Sequence, residues 1–233
     1  MPESEGTIKE VIQRTPSVKS FRVDVGATAD FQAGQFLSVT VKTDKEIKKY
    51  LSISSSPTEK GYIEFTKKIT DSEFSRTLNH LKPGDSVKIQ YPFGKFILDE
   101  KAPRIAFLSG GIGIAPIRSI FKYAVDKNIK NDMVLFYGNK NIHEIAFKDE
   151  LDQMQNQCGN LRVLHVLMEP CDKFSCKVGF ITGQIIKDSI PDFIERKFYV
   201  CGPPAMVTAM RRILSEELLV PGINIVSEQF QGY

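Results

Sequence analysis

Three glycines, Gly110, Gly111 and Gly113, punctuate the stretch RIAFLSGGIGIAP at 104–116, where a short apolar run stops and a helix-like segment begins. Glycines at a strand-to-helix turn let the main chain approach a bulky anion, and the amides that open the helix face its charge. The natural ligand of such a turn is a dinucleotide pyrophosphate. The spacing is GGxGxxP, closed by Pro116, rather than GxGxxG, so by itself it also fits a plain tight turn. A second strand-to-glycine stop is FYVCGPPAM at 198–206. Here Cys201 would sit at a strand tip and Gly202 would end the strand. Pro203 or Pro204 suits the first turn of a helix continuing through Met206, because a missing N–H costs nothing there. Taken alone, a buried cysteine before an ordinary helix start reads the same way.

A third segment, KKYLSISSSP at 48–57, puts cations, an aromatic, apolar residues and a run of hydroxyls on one extended strand. Strand alternation places Lys49, Leu51 and Ile53 on one face, with Tyr50 and Ser52 on the other. A cation can neutralise a phosphate and a hydroxyl can bond a ring nitrogen. The alternative is an edge strand with a solvated serine loop. Further along, Asp71, Ser72 and Ser75 stand at the start of a helix expected over 72–81, whose free amides could hold another phosphate or simply be capped. At the end of the sequence, Phe230 and Tyr233 in EQFQGY would pack either on a flat ring or on the rest of the protein.

The elements that must position these groups fall into two rhythms. Up to about residue 98, short alternating segments at 8–14, 21–25, 36–41, 50–54, 62–66 and 86–90 are broken by turns, which predicts a small antiparallel barrel or sandwich. After Lys101-Ala102-Pro103, apolar runs alternate with amphipathic helices at 116–125, 143–154, 183–189 and 203–218. That alternation predicts a parallel sheet with helices on both faces and ligands at the carboxyl ends of its strands. The expected domains are 1–100 and 101–233.

Composition narrows the function classes. The 233 residues carry a formal charge of +3 with the excess spread along the chain, so no basic domain points to nucleic acid. No apolar run approaches the roughly 20 residues that span a bilayer, and the polar, acidic start is unlike a secretion signal. Cys158, Cys171, Cys176 and Cys201 form no CxxC pair and lack the spacing of an iron–sulfur ligand set. They read as reduced thiols of a cytoplasmic protein, and no metal site is expected.

Taken in order, from about residue 7 to the end, these segments resemble the ferredoxin–NADP reductase superfamily of flavoenzymes. The flavin signature RxYS corresponds to Lys49-Tyr50-Leu51-Ser52, and the following Ser-Ser-Pro to Ser55-Ser56-Pro57. Lys49 stands for the arginine, Leu51 for the tyrosine, and Ser72 for the glycine of the phosphate helix. The nucleotide motifs GGxGxxP and CGPxxM are intact, and the terminal ExFxGY resembles the segment beside the flavin in many members. The resemblance implies a six-stranded antiparallel FAD-binding β-barrel, followed by a five-stranded parallel Rossmann-like α/β domain for NAD(P)H.

The implied reaction is hydride transfer from NADH or NADPH to FAD. Electrons then pass to an acceptor such as ferredoxin, a partner subunit, free flavin or a small oxidant. Nicotinamide C4 must lie near flavin N5 with the rings roughly parallel. By the resemblance, Ser52 bonds N5, Lys49 meets the FAD pyrophosphate and Leu51 touches one flavin face. Tyr50, Ile53, Ser54, Lys67, Ser72, Phe74 and Ser75 complete the flavin surroundings, with Phe230 or Tyr233 covering the other face. Gly110, Gly111, Gly113 and Pro116 hold the NAD(P) pyrophosphate, while Cys201, Gly202, Pro203 and Met206 lie near the nicotinamide. Glu228 serves protons or polarity there. Coenzyme choice falls to Gly138, Asn139 and Lys140, where an acid would accept from a ribose 2′-OH and a cation would take a 2′-phosphate. Lys140 leans toward NADP, against the plain reading of a surface lysine. A lysine offers a point charge where arginine offers a fork, and leucine gives apolar contact where tyrosine would stack. Both departures bear on flavin affinity and potential.

Overall fold

The computed structural model describes residues 3–26 and 29–229, and its Cα packing divides the chain into two units. One contains the described residues up to Leu98 together with Ala115–Asp126; the other contains Asp99–Ile114 and the described residues from Lys127 onward.

The first unit is built on six strands, β1 (Ser4–Thr15), β2 (Val18–Asp24), β3 (Phe36–Lys42), β4 (Glu46–Ser52), β5 (Ile63–Lys68) and β6 (Ser86–Phe93). They pair antiparallel in the order β4-β3-β6-β1-β2-β5. A bridge from Ile53 to Phe65, with the Ser54 amide on the Glu64 carbonyl at 2.7 Å, links the two outer strands and makes the sheet barrel-like, which leaves no long open edge. Alternation sends Phe21, Leu37, Val39, Ile63 and Phe65 inward. Phe21 and Phe65 sit opposite each other in register and stack at 5.2 Å. Fully burying each such ring contributes about 2–3 kcal/mol. Glu64 is the buried exception. Its carboxylate is met by Arg14 at 3.1 Å and Arg22 at 3.0 Å.

Helix α1 (Glu73–His80) follows β5, with the Ser72 hydroxyl accepting from the Ser75 amide at its start. Phe74 and Leu78, one turn apart, anchor it in the barrel core. Helix α2 (Ile114–Asp126) also belongs to this unit apart from its first residue. It is held by polar ties to the serine loop. Arg118 pairs with Glu59 and donates to the Ser54 carbonyl at 3.1 Å, while the Ser119 hydroxyl donates to the Ser55 carbonyl at 2.6 Å.

The second unit is a parallel sheet of β7 (Arg104–Gly110), β8 (Asp132–Asn139), β9 (Leu161–Leu167), β10 (Lys177–Val178), β11 (Lys197–Gly202) and β12 (Ile225–Gln229). Its order is β10-β9-β8-β7-β11-β12. Six strands replace the five expected. The added one is the two-residue β10, too short for a period to register in the sequence, which pairs with the end of β9.

The helices are α3 (Lys148–Gln157), α4 (Gly183–Ser189) and α5 (Pro204–Arg212). Two of them differ from the sequence pattern. The helix expected over 143–154 begins only at Lys148, because Ile145, Ala146 and Phe147 turn into the core and Phe147 takes a left-handed φ of 60°. The helix expected over 203–218 ends its regular turns at Arg212 and passes into a π turn over Ile213–Glu217. No helix among the described residues is long and apolar enough to cross a membrane.

Candidate functional site: two cofactor-binding surfaces

On the barrel, β4 follows the alternation read from its sequence only in part, since Lys49 is exposed and Ser52 is buried. Leu51, only 8% exposed, and Ile53 join the core, whereas Tyr50 is 59% exposed and meets Phe36 and Phe93 edge-on, each at 5.8 Å. Ser52 is 4% exposed and its hydroxyl has no hydrogen-bond partner among the described residues. A buried unpaired hydroxyl costs about 1–3 kcal/mol, which a ligand acceptor or donor would recover.

Cations gather on β4 and β5. Burial and the nearby ammonium groups of Lys49 and Lys68 together push the Lys67 pKa down. Lys67 also donates to the Lys68 carbonyl at 2.7 Å. Three like charges in one place are relieved by a bound polyanion. The α1 start is occupied by Ser72 as cap, and Ser75 is buried with its hydroxyl 3.1 Å from Thr70. Phe74 lies in the core, and the Ser54 hydroxyl bonds Glu64 at 3.0 Å and Thr66 at 2.7 Å. The Ser52 hydroxyl and the positive charge of the three lysines form a set that fits a flavin ring edge and a diphosphate. Phe230 and Tyr233 lie outside the described residues.

In the second unit, a cavity of about 670 Å³ opens at the carboxyl ends of the strands, within the size range of ligand sites. Gly110, Gly111, Gly138, Asn139, Pro203 and Met206 are among the residues lining it. The glycines divide the work. Gly111 has φ +51° and nothing within 4 Å of where a Cβ would be, so the main chain there is open to an approaching anion. A Cβ on Gly113 would lie 2.3 Å from the Cys201 carbonyl oxygen and 2.6 Å from Gly202 Cα, so that glycine lets the β7 and β11 turns touch. Gly202 is buried beside them, and Pro116 is buried in α2. The Tyr137 hydroxyl donates to the Gly111 carbonyl at 3.0 Å and fixes the turn from below.

One register row crosses five strands beneath the cavity mouth: His165, Tyr137, Ser109, Cys201 and Glu228. Cys201 is fully buried. Burial first, and Glu228 second, hold its thiol well above the ordinary range, so it stays neutral. Burial raises the Glu228 carboxyl to about 7, with Oε2 unpartnered among the described residues, as is the Ser109 hydroxyl. At the other end, burial and then Lys148 lower His165 to about 4. The row thus offers a neutral thiol and a carboxyl that exchanges its proton near neutrality. The sequence motif gave Cys201 and Glu228. Ser109 and His165 carried no local signal and are joined to them only by strand register.

Two family models match consecutive stretches, the oxidoreductase FAD-binding domain at residues 5–97 and the oxidoreductase NAD-binding domain at residues 107–212. NADH-cytochrome b5 reductase 1 of Coccidioides immitis is 31% identical over 207 residues, covering 84% of this chain and 67% of that protein. The chain belongs to the ferredoxin–NADP reductase superfamily. The glycine betaine monooxygenase reductase subunit of Pseudomonas aeruginosa is 29% identical over 88% of this chain, which spans 58% of that protein's length. A ferredoxin–NADP+ reductase from Neisseria gonorrhoeae, solved with bound FAD and NADP, has the same fold, with a TM-score of 0.83 at 20% identity over 98% of this chain and 99% of that one. The barrel and the parallel sheet are thus the superfamily's two domains.

Proposed function

We propose that this chain is an NAD(P)H-dependent FAD oxidoreductase, with a flavin part at residues 1–100 and a nucleotide part at 101–233. The observation that carries the reading is that one chain holds a buried hydroxyl without a partner among the described residues, a cluster of lysines on β4 and β5, and a glycine-lined cavity at strand ends. Lys49 and Lys67 bind the FAD diphosphate and Ser52 orients the ring edge. Gly110, Gly111 and Gly113 bind the nucleotide pyrophosphate through main-chain amides. Bound FAD supplies the hydride acceptor and the means of passing electrons on singly or as a pair. Cys201, neutral and buried beneath the Gly202 turn, supports the floor on which the nicotinamide rests. Glu228 holds a proton below about pH 7 and releases it above.

The electrons go to an acceptor such as ferredoxin or a partner subunit. Among the relatives matched over most of this chain are reductase subunits, which supports a role as the electron-transfer subunit of a larger complex. The free cysteines agree with a cytoplasmic location. The test is direct. The purified chain should carry FAD in equimolar amount, and anaerobic mixing with NADH or NADPH should bleach it within the mixing experiment. A colourless protein that takes up no FAD sinks the reading.

A further inference from the structure

The far side of the nucleotide cavity carries its own chemistry. Lys140 and Glu144 are the only charged side chains among the described residues lining it. Lys140 does not stand alone. Its ammonium lies 3.9 Å from the Glu169 carboxylate, whose other oxygen accepts from the Asn141 side-chain amide at 3.2 Å. The main chain sets this arrangement. Met168 and Glu169 donate their amides to the carbonyls of Asn139 at 3.1 Å and Lys140 at 3.0 Å, so the loop after β9 is laced to the loop after β8. Asn139, 8% exposed, also lines the cavity, with both of its amide atoms buried.

We infer that this rim selects NADH over NADPH, with Glu169 as the deciding residue. The inference rests on the proposed nucleotide reading of the cavity. With the pyrophosphate at the β7 turn, β8 and β9 lie on one side and β11 with Cys201 on the other. The nucleoside over β8 and β9 is then the adenosine, whose 2′ position meets the rim. Lys140 and Glu144 line the cavity there, and Glu169 stands against Lys140. A 2′-hydroxyl finds an acceptor in a carboxylate, and the Asn139 amide is placed for a second bond. A 2′-phosphate brings roughly two negative charges beside these carboxylates, and Lys140 would have to turn from Glu169 to serve it. The leaning toward NADP that Lys140 suggests as a lone residue is thereby reversed by a neighbour 29 positions away in the chain.

The test uses the FAD-loaded full chain and two probes without nicotinamide, ADP-ribose and its 2′-phosphorylated form, titrated calorimetrically. ADP-ribose should bind at least about tenfold tighter, a gap of about 1.4 kcal/mol. Glu169→Gln, which keeps the side-chain shape, should shrink that gap about fivefold or more by freeing Lys140, and the NADH to NADPH ratio in kcat/KM should fall in parallel. Equal or tighter binding of the phosphorylated probe overturns the selectivity. A gap untouched by Glu169→Gln removes Glu169 as its cause. If neither probe binds, the nucleotide reading of the cavity fails, and this inference fails with it.

Discussion

The two titratable ends of the register row should pull stability in opposite directions with pH. Glu228 is displaced from an ordinary value of 4.5 to about 7 by burial. Between these values the folded chain holds a proton that the unfolded chain has released, so stability falls as pH rises through the window and the full cost is present above about 7. His165 is displaced from 6.5 to about 4 by burial and Lys148. There the unfolded chain takes up a proton that the folded chain refuses, so stability falls as pH drops from 6.5 toward 4. Each displacement corresponds to about 3 kcal/mol at most, and access of water to the partly exposed Glu228 brings its share to ~1–2 kcal/mol. Within the shared window, between 4.5 and 6.5, the two slopes offset each other. Glu228→Gln should therefore raise stability above neutral pH by ~1–2 kcal/mol and expose the acid-side loss due to His165. His165→Phe, which also removes two ring nitrogens without a partner among the described residues, should leave the opposite slope, with stability falling as pH rises from 4.5 to 7. Urea unfolding midpoints of the FAD-saturated protein, taken from about pH 4 to about pH 8, measure this provided the m-value is unchanged. Identical pH profiles for the parent and both variants would refute the assignment of burial as the cause.

Three further outcomes are expected. Cys201→Ser should slow flavin reduction in stopped-flow mixing by about tenfold while lowering stability by only about 1 kcal/mol, the cost of a buried hydroxyl; an unchanged reduction rate removes Cys201 from the nicotinamide surroundings. Ser52→Ala should leave the flavin-free protein as stable or about 1 kcal/mol more stable, since it deletes an unpaired group, yet weaken FAD retention measured by fluorescence titration. Gly113→Ala, whose methyl would meet the Cys201 and Gly202 main chain, should cost about 3 kcal/mol or more in thermal unfolding, whereas a shift of less than about 1 kcal/mol would show that the turns do not touch.

Period and punctuation in the sequence determined much of this protein. The two-residue alternation of 50–54 put Leu51 and Ile53 inside and left Tyr50 out, but it did not show that Ser52 and Ser54, on the Tyr50 face, are buried as well. Apolar runs ending at glycine marked β7 and β11, and the motif at 183–189 gave α4 at its observed limits. What the sequence could not register are pairings whose energy is not local. Phe147 breaks the helix expected at 143 because its ring is worth more in the core than the turn it interrupts, a balance that no window of residues displays. Helix α2, read as part of the nucleotide half, packs by Cα grouping with the barrel unit, through Arg118 and Ser119 on loop carbonyls more than 60 positions earlier. The same holds for function. Glycines, Cys201 and Ser52 announce themselves, since their chemistry resides in their own type and neighbours. The charge that Lys140 presents, the proton that Glu228 keeps and the row joining Ser109 to His165 are decided by strand register and burial. Electrostatic free energy depends on distance through space and on exclusion of water, and neither is written along the chain.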